Sequence, residues 1–309
     1  MKTVTLNETE VNAMPENIFA PKPGLKVWLG DGLVPVEQAV VSVFDHALLY
    51  GDGVFEGIRI YHGKIFKEPE HVKRFFESAK AIRLQLPMSP EGVSEAMHET
   101  LRGNNITGDG YIRLLATRGV GLLGISVTHT ACPTIIVIAD KIALYPPEVY
   151  ERGLRCIVSS IARNHPNTTS PRVKSLNYLN NVMAKLEAKD AGADEAIMLN
   201  VEGRIAECTG DNIFLVREGK LYTPGTEEGI LEGVTRALVM ELAEKRGMTV
   251  LEKPLVRHDL HAADEIFATG TAAEIVPIVE VNRRPVGDGK PGKITKQLIK
   301  DFIAYRDAY

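Results

Sequence analysis

Apolar residues in the first half of the chain follow two spacings, one typical of strands and one typical of helices. The strand spacing predicts β-strands at residues 26–29, 54–61, 64–66, 111–116 and 134–139. Gly63 favours a hairpin turn between the second and third of these strands. The helical spacing predicts one helix over residues 70–82, and Ser89 followed by Pro90 predicts the start of another, which Gly103 would end.

The second half mixes both spacings without a strict alternation of strand and helix. Strands are predicted at 154–160, 195–199, 212–216 and 265–268, and helices at 176–191, 233–246 and 295–309. This mixture favours an α+β fold over a doubly wound sheet. Pro146 and Pro147 favour a break between two sheet-forming regions. The predicted units are an N-terminal extension (1–24), a small domain (25–142), an interdomain loop (143–153) and a large domain (154–309).

Composition narrows the functional classes. The 309 residues are 44% hydrophobic, and 36 Lys and Arg nearly balance 40 Asp and Glu, so neither a nucleic-acid nor a membrane partner is predicted. Three widely spaced cysteines fit reduced thiols in the cytoplasm better than disulfides or a zinc site. The polar N-terminus does not have the pattern of a secretory signal.

Two sequence patterns, one typical of dinucleotide binding and one of metal binding, lack the surrounding residues that these functions need. Gly119, Gly121 and Gly124, with Asp140 farther on, match a dinucleotide fingerprint. That motif needs a helix directly after the glycines, whereas residues 125–133 are short and end in proline, so we predict a loop. No metal is predicted either, because His258 and His261 have no third ligand nearby in the sequence.

A lysine and a carboxylate suggest a more specific chemistry. Lys174 is predicted to open an apolar helix, and Glu207 lies in a predicted turn. Enzymes that use pyridoxal phosphate need a lysine amine to hold the cofactor aldehyde as a Schiff base, and a carboxylate can keep its ring nitrogen protonated. The glycine-rich turn at 229–236 leads into a helix that could bind a phosphate, and the turn at 269–274 could present amides to a carboxylate.

Six segments together resemble the fold type IV aminotransferases that use pyridoxal phosphate, and most of all the branched-chain amino acid aminotransferases. They cover residues 46–59, 111–113, 174–181, 207–214, 229–236 and 269–274. The resemblance extends over nearly all of residues 25–309. It implies a two-domain fold like that of D-amino acid aminotransferase, with a smaller α/β N-terminal domain and a larger C-terminal domain that has a barrel-like sheet.

The resemblance also implies an activity, a cofactor and partners. The activity is transamination between leucine, isoleucine or valine and 2-oxoglutarate, with pyridoxal phosphate as the cofactor. The assembly is a homodimer or homohexamer. Lys174 would hold the cofactor and then shuttle a proton, and Glu207 would face the pyridine nitrogen. The other implied cofactor-binding residues are Arg74, Tyr178, Leu231, Gly233, Val234, Thr235 and Thr271.

The implied substrate pocket combines apolar and basic groups. Its residues are Phe55, Arg59, Tyr111, Arg113, Tyr145, Thr271, Ala272 and, from a neighbouring subunit, Tyr50. In this interpretation Thr271 and Ala272 bind the α-carboxylate through their amides, and Arg59 and Arg113 serve the distal carboxylate of glutamate.

Other reactions remain open on the same scaffold. Residues 174–177 and 117–119 are shared in style with D-amino acid aminotransferases, in which Arg118 would bind a carboxylate. Aminodeoxychorismate lyases and amine transaminases also use this scaffold. Cys208 follows Glu207 where relatives often carry a smaller residue such as glycine.

Overall fold

A computed structural model describes residue 22 and residues 24–140 and 145–309 of the chain. The predicted N-terminal extension therefore lies almost wholly outside the described residues, as does the start of the predicted interdomain loop. Two sheets, each covered by helices, make up the described part. This mixture confirms the α+β prediction.

The first sheet has six antiparallel strands in the order β2-β1-β6-β5-β3-β4. These are β1 (Lys26–Leu29), β2 (Gly32–Pro35), β3 (Gly53–Tyr61), β4 (Lys64–Ile65), β5 (Gly110–Thr117) and β6 (Thr134–Asp140). The helices of this half are α1 (His46–Tyr50), α2 (Glu68–Ala81) and α3 (Pro90–Gly103). The inner faces of α2 and α3 bury Phe75 and Met97 completely against the sheet.

The second sheet has nine strands, eight in the order β12-β11-β10-β13-β14-β7-β8-β9, with β15 paired to β14. They are β7 (Leu154–Val158), β8 (Glu195–Leu199), β9 (Ile205–Cys208), β10 (Asn212–Arg217), β11 (Lys220–Thr223), β12 (Val250–Glu252), β13 (Glu265–Gly270), β14 (Glu274–Val281) and β15 (Arg284–Pro285). The sheet curls until its last strand, β9, returns to β10, where the Cys208 amide donates to the Asp211 carbonyl at 2.8 Å. The predicted barrel-like sheet is thus confirmed.

Five α-helices accompany this second sheet in the described residues. They are α4 (Pro147–Arg152), α5 (Leu179–Asp190), α6 (Val234–Lys245), α7 (Arg257–Ala262) and α8 (Lys293–Ala308). Phe214 and Phe267 stack with ring centres 5.1 Å apart, and α6 and α8 pack over that side of the sheet.

The chain segment around Lys174 connects the two halves. The Phe55 amide donates to the Lys174 carbonyl at 2.9 Å, and the Leu176 amide donates to the Gly53 carbonyl at 2.9 Å. Residues 174–176 therefore act as an extra strand on β3, although they come from the other half of the chain. This pairing holds Lys174 at the boundary between the two sheets.

Among the differences between the predicted and the observed elements, three have a clear physical reason. Residues 147–152 of the predicted interdomain loop form α4, because Pro147 at the first helical position has a suitable φ and needs no hydrogen-bond partner. The helix predicted from residue 176 begins only at Leu179, since the preceding residues pair with β3. Strand β14 was missed because Pro277 lies within it. The domain boundaries stay a prediction.

Candidate active site

A cavity of about 350 Å³ lies where the Lys174 segment, β3 and β5 face the turns at the ends of β9 and β13. Most of the predicted site residues line it: Phe55, Arg74, Tyr111, Arg113, Tyr145, Lys174, Tyr178, Glu207, Leu231, Gly233, Val234, Thr235, Thr271 and Ala272. Residues that are far apart in the sequence thus share one concave site, which is the usual form of a small-molecule site.

Lys174 presents its amine to the cavity. Its Nζ donates to the Tyr178 hydroxyl at 3.3 Å and lies 4.8 Å from the centre of the Phe55 ring. The ion pairs found among the described residues do not include Lys174. An amine held by a hydroxyl and an aromatic ring, without a carboxylate on it, is available for covalent chemistry.

Glu207 lies in strand β9 and not in a turn, and it is buried at the cavity wall. Its Oε1 accepts from Arg163 Nε at 2.9 Å, and its Oε2 accepts from the Leu231 amide at 3.0 Å and from Asn212 Nδ2 at 3.1 Å. Burial raises the pKa of Glu207, and the Arg163 guanidinium opposes that rise. The carboxylate is therefore fixed in position by three donors.

The first turn of α6 has the features of an anion site. Gly233 precedes this helix and has no side-chain cap, so the first amides are left for a ligand. A Cβ on Gly233 would fall 2.0 Å from Asn212 Oδ1, which explains the glycine. Thr235 is buried in the same turn and lines the cavity.

Arg74 approaches this anion site from α2. Its Nη1 donates to the Glu232 carbonyl at 2.7 Å, while Nε and Nη2 bind both oxygens of Glu56. Although burial acts to raise it, Arg74 holds the pKa of Glu56 far below its usual range. This buried ion pair fixes the guanidinium beside the helix start.

The opposite wall of the cavity is aromatic. The Arg113 guanidinium lies 4.7 Å from the ring centre of Phe55 and 5.7 Å from that of Tyr111. No hydrogen bond within the described part of the chain uses Arg113, so its donors remain available to a ligand. Gly57 leaves the space that the Tyr111 hydroxyl occupies, since a Cβ on Gly57 would fall 1.9 Å from the Tyr111 hydroxyl oxygen.

Two predicted residues do not line the cavity. Arg59 is turned toward Glu274, with 3.5 Å between its Nη2 and Oε1, and its buried Nε has no partner in the described structure. Tyr50 is 38% exposed at the end of α1, where its hydroxyl accepts from the Gly124 amide at 2.7 Å. Its contribution to a neighbouring subunit stays a prediction.

Arg118, the residue that would bind a carboxylate in a D-amino acid aminotransferase, is fully engaged elsewhere. It donates to both oxygens of Asp52 at 2.9 Å and to the carbonyls of Ile82 and Arg83 at 2.8 Å. Its side chain is buried and is not part of the cavity lining.

The glycine-rich segment 119–124 forms a loop. No α-helix follows it within the described residues before β6. A Cβ on Gly121 would fall 2.5 Å from His46 Nε2, so the loop packs closely on α1. A nucleotide-binding turn is therefore absent here.

Several residues of the site were not predicted. Arg163 belongs to no local motif, and only the fold places it on Glu207. Asn212 and Asp211 fall within the matched segment 207–214, which was the signal available for them. Glu195 and Lys185 also line the cavity, paired at 2.6 Å.

The described residues contain neither a candidate metal cluster nor a membrane-spanning helix. No group of three or more His, Cys, Asp or Glu side chains there could hold a metal ion. No helix there is both long and apolar enough to cross a membrane.

Comparison with known proteins gives a consistent family. The model of class IV amino-transferases matches residues 53–281. A putative branched-chain-amino-acid aminotransferase of Methanocaldococcus jannaschii is 48% identical over 90% of this chain and 95% of the relative. The branched-chain-amino-acid aminotransferase of Pseudomonas aeruginosa is 37% identical over 90% of this chain and 91% of its own length.

Solved structures agree in three dimensions. The branched-chain aminotransferase of Thermoproteus uzoniensis with norvaline superposes with a TM-score of 0.85 at 39% identity, covering 91% of this chain and 94% of that one. The branched-chain amino acid aminotransferase of Thermobaculum terrenum in its PLP form gives 0.84 at 34% identity, covering 93% and 95%.

Proposed function

The chain belongs to the class IV aminotransferases, and from that membership we propose that it exchanges amino groups between branched-chain L-amino acids and 2-oxoglutarate. The donors are leucine, isoleucine and valine, and the products are branched 2-oxo acids and L-glutamate. The observation that carries this proposal is the single cavity in which Lys174 faces an aromatic wall that also holds Arg113.

The residues present fit pyridoxal phosphate, the cofactor of this family. The first turn of α6, with Thr235 and Arg74, would hold the phosphate, and Glu207 would meet the ring nitrogen. Leu231 and Tyr178 would contact the ring and its hydroxyl. Bound pyridoxal phosphate supplies a ring that withdraws electrons from the substrate Cα.

The chain's own residues position and move protons. Lys174 would take the proton from the substrate Cα through its Nζ, which the Tyr178 hydroxyl orients. Glu207 would hold a proton on the ring nitrogen, and its three donors keep the carboxylate in place for that task.

Two unlike side chains must use one pocket. The rings of Phe55 and Tyr111 suit an aliphatic side chain, because burying apolar surface there is favourable. Arg113 supports glutamate and 2-oxoglutarate, since its unused donors can pair with a distal carboxylate. Because Arg113 lies at the edge of the apolar pocket, the distal carboxylate of glutamate or 2-oxoglutarate is not buried without a charged partner.

A panel of amino donors tests this function. L-leucine, L-valine and D-alanine are each offered with 2-oxoglutarate, and glutamate is measured. We expect turnover of the two L-amino acids. Turnover of D-alanine without L-leucine would contradict the proposal, but Arg118 is not available for the carboxylate contact that this alternative needs. Pyruvate release from aminodeoxychorismate without an amino acceptor would indicate the lyase instead.

We also propose that the chain works as a homodimer or homohexamer. Leu179, Val182, Met183 and Leu186 are each 46–71% exposed along α5. A second apolar group lies on the loops around α1: Val43, Phe44, Leu48, Val120, Leu122, Leu123, Ile125 and Val127. Exposed apolar surface of this extent is typical of an interface. Sedimentation that shows an active monomer would refute the assembly.

We propose the cytoplasm as its compartment. Cys132, Cys156 and Cys208 are all free thiols, and two of them are buried. Thiols without disulfide partners suit a reducing compartment. Cell fractionation followed by the leucine assay would test this location.

A further inference from the structure

Asp211 is a nearly buried acid at the cavity wall, in the turn between β9 and β10. It is 6% exposed. A Cβ on Gly270 would fall 1.8 Å from Asp211 Oδ1, so the carboxyl packs directly on the turn that begins at Gly270. That turn continues into Thr271 and Ala272, whose amides are the proposed receptors of the α-carboxylate.

The carboxyl of Asp211 lacks the partners that its neighbour has. Glu195, also buried, accepts from Lys185 Nζ at 2.6 Å, from Thr209 Oγ1 at 2.5 Å, and from the amides of Ala196 and Thr209 at 2.8 and 3.1 Å. In the described structure no hydrogen bond reaches either carboxyl oxygen of Asp211. A buried acid without protein partners is costly unless a ligand supplies one.

A second unsatisfied group lies in the same corner. Thr269 Oγ1 is buried and without a hydrogen-bond partner among the described residues, and Thr269 lines the cavity. The register of β10 and β13 pairs Thr269 with Asn212, the residue after Asp211. Thr269 Oγ1 and the Asp211 carboxyl belong to residues of one cavity wall and have no hydrogen-bond partner among the described residues, which indicates that a polar part of a ligand binds there.

The charges around Asp211 favour its neutral form. Burial and the Glu195 carboxylate raise the pKa of Asp211 to about 7, and Glu207 adds to this rise. Lys185 and Lys174 oppose it. Lys185 is already bound to Glu195, so it leaves Asp211 without a close counter-ion. Burial, Asp211 and Glu195 raise the pKa of Tyr145, whose hydroxyl stays protonated and donates to Glu195 Oε2 at 3.3 Å.

We propose that Asp211, as a neutral acid, donates a hydrogen bond to the α-carboxylate of the amino acid or 2-oxo acid. An ionised Asp211 would repel that carboxylate, whereas the acid form satisfies both groups. Asp211 is thus a substrate-positioning residue shared by both half-reactions, because every substrate and product carries an α-carboxylate. The inference rests on the proposed function for the identity of the substrates.

Binding must then be coupled to a proton. A bound carboxylate favours the acid form of Asp211, so a ligand that binds at pH 8 takes up a proton from solution. The probe is 4-methylpentanoate, which carries the carboxylate and the leucine-like chain but no amine. Calorimetry of its binding to the holoenzyme in two buffers of different ionisation enthalpy measures this uptake.

Three variants test the assignment. Asp211→Asn keeps a donor that never ionises, so we expect the proton uptake to vanish and the inhibition constant of 4-methylpentanoate to lose its rise above pH 7. The wild-type inhibition constant of 4-methylpentanoate, which has no amine to titrate, should rise by about tenfold per pH unit well above pH 7. Asp211→Ala loses the donor, and KM for L-leucine and 2-oxoglutarate should rise together, by about tenfold or more. Asp190→Asn, an exposed acid on α5, is the matched control and should behave as wild type.

The outcomes separate this inference from the proposed function. Wild-type enzyme that does not turn over L-leucine contradicts the function. Turnover of L-leucine together with identical proton uptake and pH profiles in Asp211→Asn and wild type overturns the role of Asp211 alone. Thermal unfolding and circular dichroism of each variant confirm that it is folded, and Asp211→Asn provides the test if Asp211→Ala does not fold.

Discussion

Arg163 Nε lies 2.9 Å from Glu207 Oε1, and both side chains are buried. The arginine comes from the segment after β7 and the glutamate from β9, so the fold of the second sheet creates this pair. Burial raises the pKa of Glu207, and among the groups that oppose this rise Arg163 acts most strongly, so it favours the charged carboxylate that the proposed contact with the cofactor ring needs.

Replacing Arg163 should therefore shift the pH dependence of activity. In Arg163→Met the pKa of Glu207 rises further, so the acidic limb of the kcat profile should move to higher pH by about one unit or more. Steady-state rates with L-leucine from pH 5 to 9 measure this. Arg217→Met removes an exposed arginine and serves as the control. Unchanged limbs in a folded Arg163→Met would show that Glu207 does not depend on this arginine.

Lys174→Ala should abolish transamination, because it removes the amine that we propose takes the Cα proton. A positioned acid–base group contributes about 10²–10⁴-fold, and the loss should be at least that large. The absorbance band near roughly 410 nm, expected of cofactor bound to a lysine, should also vanish. Lys189→Ala, on the exposed face of α5, should retain both properties. A yellow Lys174→Ala protein with that band would mean that another lysine holds the cofactor.

Arg113→Leu should discriminate between the two half-reactions. Removing the guanidinium should lower kcat/KM for 2-oxoglutarate by about 10–100-fold, since a charged hydrogen bond to the distal carboxylate is lost. The half-reaction with L-leucine should change far less, because its side chain is apolar. Single-turnover rates with each substrate separate the two effects. Arg102→Leu, on the exposed side of α3, is the control, and equal losses for both substrates would refute the assignment.

Gly57→Ala should damage the pocket without touching a charged group. Its Cβ would fall 1.9 Å from the Tyr111 hydroxyl oxygen, so the ring must move. We expect KM for L-leucine to rise by about tenfold with a loss of stability of about 1–3 kcal/mol from overpacking. Kinetics and thermal unfolding measure the two effects. At Gly108 a Cβ meets nothing within 4 Å, and Gly108→Ala should leave both near wild type.

The sequence predicts elements well where one local pattern decides them. The bounds of β1 and β8 agree with the predicted 26–29 and 195–199, because each is a short apolar run. Strand β14 was missed because Pro277 argues against a strand, yet the fold accommodates it opposite Phe267. The delayed start of α5 has a similar cause, since pairing with β3 outweighs the helical pattern of residues 176–178.

The residues of the candidate site also fall into two groups, those that a local sequence pattern indicates and those that only the fold brings together. Lys174, Glu207 and the start of α6 lie in segments whose residue types carry their own chemistry, and the structure brings them to one cavity. The pairings of Arg163 with Glu207 and of Arg118 with Asp52 join distant segments, so no local pattern indicates them. Asp211 stood inside a matched segment, but only its burial and its lack of partners distinguish it from a surface acid.

The pairing of residues 174–176 with β3 has a consequence for how the protein is made. Lys174 leaves the ribosome about 120 residues after Phe55, so β3 must wait for this strand until the start of the second half has been synthesised. Closing so long a loop is slow. The first sheet therefore spends part of its synthesis with one edge unprotected, and cofactor capture can begin only once that edge is closed.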